Sequence, residues 1–570
     1  MLLSYLYFLF RTALVIMGNL LKKGLRPPDY VIFTLHGSYP DLREPPVGFI
    51  QQIMKARLKS LQELEKEFRL VAKNPRVKGI ILHLGAVNLT FSQVQSLAGM
   101  LRLLRNSGKT VITWATNYDT LSYALAASGD RVLLQEGGAI HTLGFSSRQL
   151  YMKNALEWLG VEMDVVQVSP YKSSLERFVR SNMSEEVKEM TAWLLDSYYG
   201  QYVSAVASGR GLTEQEVHSL IGQTPLYGDK AKTAGAIDGV VNAEDLPAFL
   251  GSSDKPARLA AWDECKKCFP RPLPPQPGKY IALLRVQGNI IDGESRRPPG
   301  RPPLPLPFIF AEQTGDLTFV QQARRVLRDK RARAVLLYIE SGGGSAAASE
   351  AMTAALKKIA GRKPLVALMG STAASGGYYV ATAASHVVAQ PAAVTGSIGV
   401  IAAKIVNSRL LERLLLNRET LYRGQKELFA SPEEPFTDEE RNKAMDFLNY
   451  IYELFITRVA ESRSKSPEAV AEIGGGKVWT GEQALEHGLI DELGGLETAL
   501  ARLCEMAKLP PETPLVETLF PRRKTAPLPA AGSWIDYTLE SMARVRKQQA
   551  LLAGPLYFHQ PPDRETQYHF

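Results

Sequence analysis

LYGDKAKTAGAIDGV at residues 226–240 and WTGEQALEHGLIDEL at residues 479–493 place the same residues at the same intervals. Gly228, Gly235 and Asp238 match Gly481, Gly488 and Asp491 at a constant offset of 253. Outward from this pair, VKGIILHLG (77–85) resembles ARAVLLYIE (332–340) at an offset of 255. GKTVITWA (108–115) resembles RKPLVALMG (362–370) at 254, set by Lys109 and Lys363. Three blocks in one order at nearly one spacing mean two copies of one module. In the second copy AVLLYI (334–339) reads as a buried strand, residues 346–360 as an Ala-rich helix, PLVALM (364–369) as the next strand, and Gly376 to Ser385 as the start of another helix. Such alternation predicts an α/β fold with largely parallel sheets. Thr213 with Glu216, Thr437 with Glu440 and Thr480 with Gln483 are capping-box pairs that open further helices.

The remaining chain frames these modules. Residues 2–21, LLSYLYFLFRTALVIMGNLL, are apolar except for Ser4, Arg11, Thr12 and Asn19. Twenty helical residues rise about 30 Å, the thickness of a bilayer's hydrocarbon core. Residues 1–27 are therefore expected to be a single-pass membrane anchor, with a surface-lying amphipathic helix as the alternative. Lys22, Lys23 and Arg26 follow the segment and by the positive-inside rule hold the next domain in the cytoplasm. The expected domains are a first α/β module over 28–268, a Pro-rich linker over 269–278 and a second module over 279–508. A basic tail over 509–570 completes the chain, with WIDYTLESMARVRKQQALLA (534–553) as a possible amphipathic helix and the stretch before it as loop. RRPPGRPPLPLP (296–307) reads as a surface loop.

Composition excludes several classes. The 570 residues carry 67 Lys+Arg against 58 Asp+Glu, a formal charge of +9, scattered in short pieces rather than one basic patch. That argues against nucleic acid as a partner and for contact with an anionic membrane surface. Three cysteines in this length exclude a disulfide scaffold. Cys265 and Cys268 form one CxxC without the further ligands a structural zinc needs, so no metal or cofactor is expected.

Chemistry is expected in MGSTAASGGYYVATAAS (369–385), the densest small-residue stretch, between a strand and a helix. Ser375 is placed there as a nucleophile, followed by Gly376 and Gly377, where outward-facing amides at a helix N-terminus favour negative charge. ESGGGSAAASE (340–350) offers a second amide donor from Gly342 to Gly344. The surrounding AASGG is not a GxSxG elbow. Histidine is scarce, and His386 reads as a helix-end residue. The workable base is then a lysine deprived of its charge by burial. Two candidates sit in corresponding places, Lys172 in VVQVSPYKSSLERF and Lys426 in LYRGQKELFASP.

AASGGYY (373–379) with TGSIGV (395–400), PYKSSLERF (170–178) and VWTGEQALEHGLIDELGG (478–495) together resemble the signal peptide peptidase A (protease IV) family in its long, tandem form, over roughly residues 30–505. The resemblance implies the Clp-protease/crotonase fold and a membrane-bound serine endopeptidase that degrades cleaved signal peptides. It implies Ser375 as nucleophile, Lys172 as general base, Ser397 as the serine that supports the lysine amine, and Gly376 and Gly343 as oxyanion amides. Lys426 is the second-choice base. The family also implies a homotetramer and a catalytic domain outside the cytoplasm, against the charges after the anchor. The position of Ser375 maps near Tyr118 in the first module, so the site would assemble across the repeat. The glycine loop departs from the family's SPGGS, with Gly342 in place of proline. A crotonase-type acyl-CoA enzyme and an inactive membrane-associated scaffold are the rival readings of the same fold.

Overall fold

The computed structural model describes residues 2–22, 24–44, 58–141, 143–274, 278–296, 312–421, 423–424, 431–517 and 551–553. Lys426 and the Pro-rich stretch after Arg296 lie outside the described residues, as does the expected helix up to residue 550.

Two sheets organise the chain. The first runs 226–227, 131–140, 110–118, 79–88, 30–38, 259–261, and it is parallel throughout except at the 226–227 edge. The second is built on Tyr280–Ile291, Ala332–Ser345 and Leu365–Ala374, again parallel, with shorter strands at both margins. Helices cover both faces, which is why the strands read as continuous apolar runs rather than alternating ones. In Ala332–Ser345, Val335, Leu337 and Ile339 enter one core while Ala334, Leu336 and Tyr338 enter the other. The same split occurs at Ile80 and Ile81 in the first sheet.

The repeat seen in sequence recurs as matched interactions. Arg210 pairs with Asp238, and Arg463 with Asp491. Lys109 Nζ donates to the carbonyls of Asn74 and Val77, and Lys363 Nζ to those of Val326 and Asp329. The hydroxyls of Tyr123 and Tyr378 each donate at 2.8 Å to a carbonyl, Ala236 O and Leu489 O. All three expected capping boxes close, at Thr213, Thr437 and Thr480.

The structure departs from the sequence reading in four places. The helix after Ser375 is short, Gly376–Ala381, and His386 opens the strand His386–Ala389, where its Nε2 meets Glu492 Oε2 at 2.9 Å. A parallel strand returning beside Leu365–Ala374 leaves no room for a longer helix. Within the stretch read as loop, Leu515–Glu517 pairs parallel to Ile281–Leu283. The last three residues of the expected tail helix, Leu551–Ala553, form a strand, because an open pair of sheet edges takes their backbone. Finally, the strand Glu162–Gln167 leaves the first module and pairs antiparallel with Ile401–Val406 in the second sheet. Its Val166 is buried in the second module's core. Conversely, Ala392 is buried in the core of the first.

The segment expected as an anchor is a 21-residue helix, Leu2–Lys22. No helix among the described residues is long and apolar enough to cross a membrane. The helix end is tied to the segment that follows the first module: Asn19 exchanges two hydrogen bonds with the Arg271 backbone, and Lys22 Nζ donates to Phe269 O at 3.0 Å. Cys265 is buried close by, its thiol pushed up to about 11 by desolvation.

Candidate active site

Ser375 sits at the turn between Leu365–Ala374 and Gly376–Ala381. Its φ of 55° lies in the left-handed region that non-glycine residues rarely occupy. The turn is held from both sides: Ser375 N–H donates to Gly396 O, and Tyr379 N–H to Ser375 O, each at 2.8 Å. Strain held by surrounding bonds is characteristic of functional turns. Gly376 begins the helix, so its N–H has no acceptor within that helix.

Lys172 arrives from the first module. The strand Glu162–Gln167 carries the chain to the second sheet, and Val168 N–H continues the contact onto Val400 O at 3.2 Å. Lys172 is 1% exposed. Its Nζ lies 2.7 Å from Ser375 Oγ, 2.9 Å from Ser397 O and 2.9 Å from Ser397 Oγ. Burial lowers the amine's pKa well below its ordinary value. Nζ donates to Ser375 Oγ and to both Ser397 oxygens; a neutral amine in the same place can keep the two Ser397 bonds and turn its lone pair to the Ser375 hydroxyl. Ser397 is itself fixed at φ 54°, with its N–H donating to Lys477 O at 2.7 Å.

Gly343 stands beside Gly376: a Cβ on Gly376 would come within 3.2 Å of Gly343 Cα. The Gly343 N–H donates to Ser341 Oγ at 3.1 Å, and the Ser341 hydroxyl donates to Gly288 O at 2.6 Å.

Ser375, Lys172, Ser397, Gly376 and Gly343 therefore converge, although 203 residues separate Lys172 from Ser375. In the first module the corresponding helix cap is Asp119, one residue past Tyr118, with an ordinary φ of −97° and its side chain bound to Ser122 N–H. That cap carries a carboxylate where the second module carries the Ser375 hydroxyl.

Sequence reasoning missed the second half of the lysine's housing. Gly476, at φ +91°, packs so closely that a Cβ would lie 2.5 Å from Lys172 N. A Cβ on Gly399 would be 3.3 Å from Lys172 Cδ. The Gly474–Gly476 run before Val478 was the available signal. Behind it, Trp193 of the first module stacks on Trp479 of the second, ring centroids 4.9 Å apart, and donates to Val478 O at 2.8 Å.

Residues 104–252 and 357–510, one stretch in each half of the chain, match the profile of Peptidase family S49. The chloroplastic serine protease SPPA of Arabidopsis thaliana is 30% identical over 473 residues, covering 81% of this chain and 68% of its own. Protease 4 of Salmonella typhi is 30% identical over 479 residues, covering 79% of this chain and 72% of its own. Among solved structures, a ClpP1 mutant from Listeria monocytogenes matches over 38% of this chain and 93% of its own, at 12% identity and a TM-score of 0.23.

Proposed function

Because the chain belongs to peptidase family S49, we propose that it is a membrane-attached serine endopeptidase working through a Ser375–Lys172 dyad on apolar peptides such as cleaved signal peptides. The observation that carries this reading is the buried 2.7 Å contact between Lys172 Nζ and Ser375 Oγ. Neutral Lys172 takes the Ser375 proton as Oγ attacks the scissile carbonyl. The amides of Gly376 and Gly343 receive the oxyanion. The lysine ammonium, still held by both Ser397 oxygens, returns a proton to the leaving amine. Water then hydrolyses the acyl-enzyme with Lys172 again as base. No cofactor has a step to perform.

Attachment is assigned to the Leu2–Lys22 helix, whose Tyr5, Leu6, Phe10, Met17 and Leu21 are exposed. An apolar face of this kind suits a bilayer. By family likeness the assembly is a homotetramer with its catalytic modules outside the cytoplasm. Light scattering in detergent tests the first point, and protease accessibility of intact cells against inverted vesicles tests the second.

The deciding experiment uses purified full-length protein and a fluorogenic apolar peptide. Wild type hydrolyses it, Ser375→Ala abolishes hydrolysis, and Lys172→Ala lowers kcat by about 10²–10⁴-fold. Intact-mass spectrometry of a slow substrate shows the acyl group on wild type alone. Cleavage that survives Ser375→Ala removes the nucleophile assignment.

A further inference from the structure

The two strands that carry the site run in one register and then change it. Ala332–Ser345 pairs with Leu365–Ala374 up to Ile339 opposite Met369, and the pairing resumes with Ser341 opposite Ala373. One strand thus advances two residues where the other advances four. On its far edge, Leu365–Ala374 stops pairing with one neighbour at Leu368 and starts with another at Thr372. The Ser371 N–H falls inside both gaps and donates to Glu340 Oε2 at 2.7 Å. Gly370 makes room for that carboxylate, since a Cβ there would collide with Glu340 Oε2. The Ser371 hydroxyl is gripped in turn by the first module, through Thr90 Oγ1 at 2.6 Å and Ser92 Oγ at 2.9 Å.

This change of register decides what faces Ser375. Beyond the Ser341–Ala373 pair, Gly343 and Ser375 each lie two residues on, and a Cβ on Gly376 would come within 3.2 Å of Gly343 Cα. Had the first register continued, Ser345 would stand level with Ser375, and Gly343 would lie about 7 Å back, the length of two strand residues. The first module supplies the contrast. At the offset of 255 Glu340 corresponds to Gly85, and the pairing of Gly79–Asn88 with Thr110–Tyr118 ends at His83 opposite Trp114 without resuming. Resting on the serine-peptidase reading above, we propose that Glu340 is a positioning residue whose carboxylate holds the register change that sets Gly343 beside Ser375. It acts through the Ser371 amide, a donor that needs an acceptor where the ladder is broken. Irregular pairing of this kind re-aims a strand next to an active site.

Steady-state hydrolysis of the apolar fluorogenic peptide by full-length protein tests this, with circular dichroism recording the fold of each variant. Glu340→Ala removes the acceptor, and Gly370→Ala pushes the carboxylate off the Ser371 amide. Each is expected to lower kcat by about 10²–10³-fold, the range for losing one oxyanion donor, while KM stays near the wild-type value. Glu340→Gln keeps an oxygen for the Ser371 N–H and should retain nearly all of kcat. A general loosening of the fold would separate neither Gln from Ala nor kcat from KM. The assignment is overturned if Glu340→Gln falls as far as Glu340→Ala, or if KM alone changes. Should Glu340→Ala fail to fold, Gly370→Ala set against Glu340→Gln makes the same comparison. Ser375-dependent hydrolysis that tolerates the alanine changes rejects the positioning role and leaves the peptidase reading standing. A wild type that does not cut the peptide defeats that reading, and this inference falls with it.

Discussion

Ser397 holds the Lys172 amine through two oxygens. Its carbonyl and hydroxyl both accept from Nζ at 2.9 Å, and burial lowers the amine's pKa well below its ordinary value. Activity should therefore rise with pH through the lysine's depressed pKa and level off well below 10.5, visible in kcat/KM against pH. Lys172→Ala should cost about 10²–10⁴-fold in kcat, the usual range for a general base. In Ser397→Ala the ammonium loses an acceptor that favours it, so the ascending limb moves to lower pH, by up to about one unit. Stability carries the same signature. The unfolded chain binds a proton at Lys172 that the folded one does not, so this group's contribution falls as pH drops from 10.5 toward the depressed value. The Tm of wild type relative to Lys172→Met should rise with pH over that window, read by calorimetry. Sequence could nominate Lys172 from its PYKSS context and from the lack of a suitable histidine. It could not show the amine's surroundings, because its hydrogen-bond partners Ser375 and Ser397 lie 203 and 225 residues away.

At the level of elements, the site depends on glycines that let two segments touch. Gly476→Ala would put a Cβ 2.5 Å from Lys172 N at a φ of +91°. It should cost at least about 1–2 kcal/mol in backbone strain and displace the base, lowering both the urea midpoint and kcat. Strands and capped helices were legible because their signals are local: apolar runs, Thr-x-x-Glu pairs and glycine stops. The length of the helix after Ser375 was not, because the nearby strand His386–Ala389 decides where it ends. The tail was misread for a related reason. ALLA favours a helix by itself, yet two unpaired sheet edges outweigh that preference for Leu551–Ala553.

Across the whole molecule, the modules are joined by polar and aromatic contacts as well as by the exchanged strand. Trp193 and Trp479 should couple by about 0.5–1.5 kcal/mol in a double-mutant cycle on unfolding free energy. Asp41 of the first module accepts from Gln93 Nε2 at 3.0 Å and from Tyr338 of the second module at 2.8 Å. Burial raises its carboxyl above the usual range, and those two bonds only partly offset the rise. A raised acid stabilises the fold below its unfolded pKa and loses that contribution as pH climbs through the folded value. Asp41→Asn should thus flatten the decline of Tm with pH above about 4, near the unfolded aspartate value. The repeat made two modules legible, but the residues exchanged between them have no signature in either copy alone. That exchange also sets a schedule. A ribosome finishes Lys172 first and must add 203 residues before reaching Ser375, roughly 10–40 seconds at ordinary elongation rates. On the proposed dyad, a product that stalls within that interval carries Lys172 without Ser375 and is expected to be inactive.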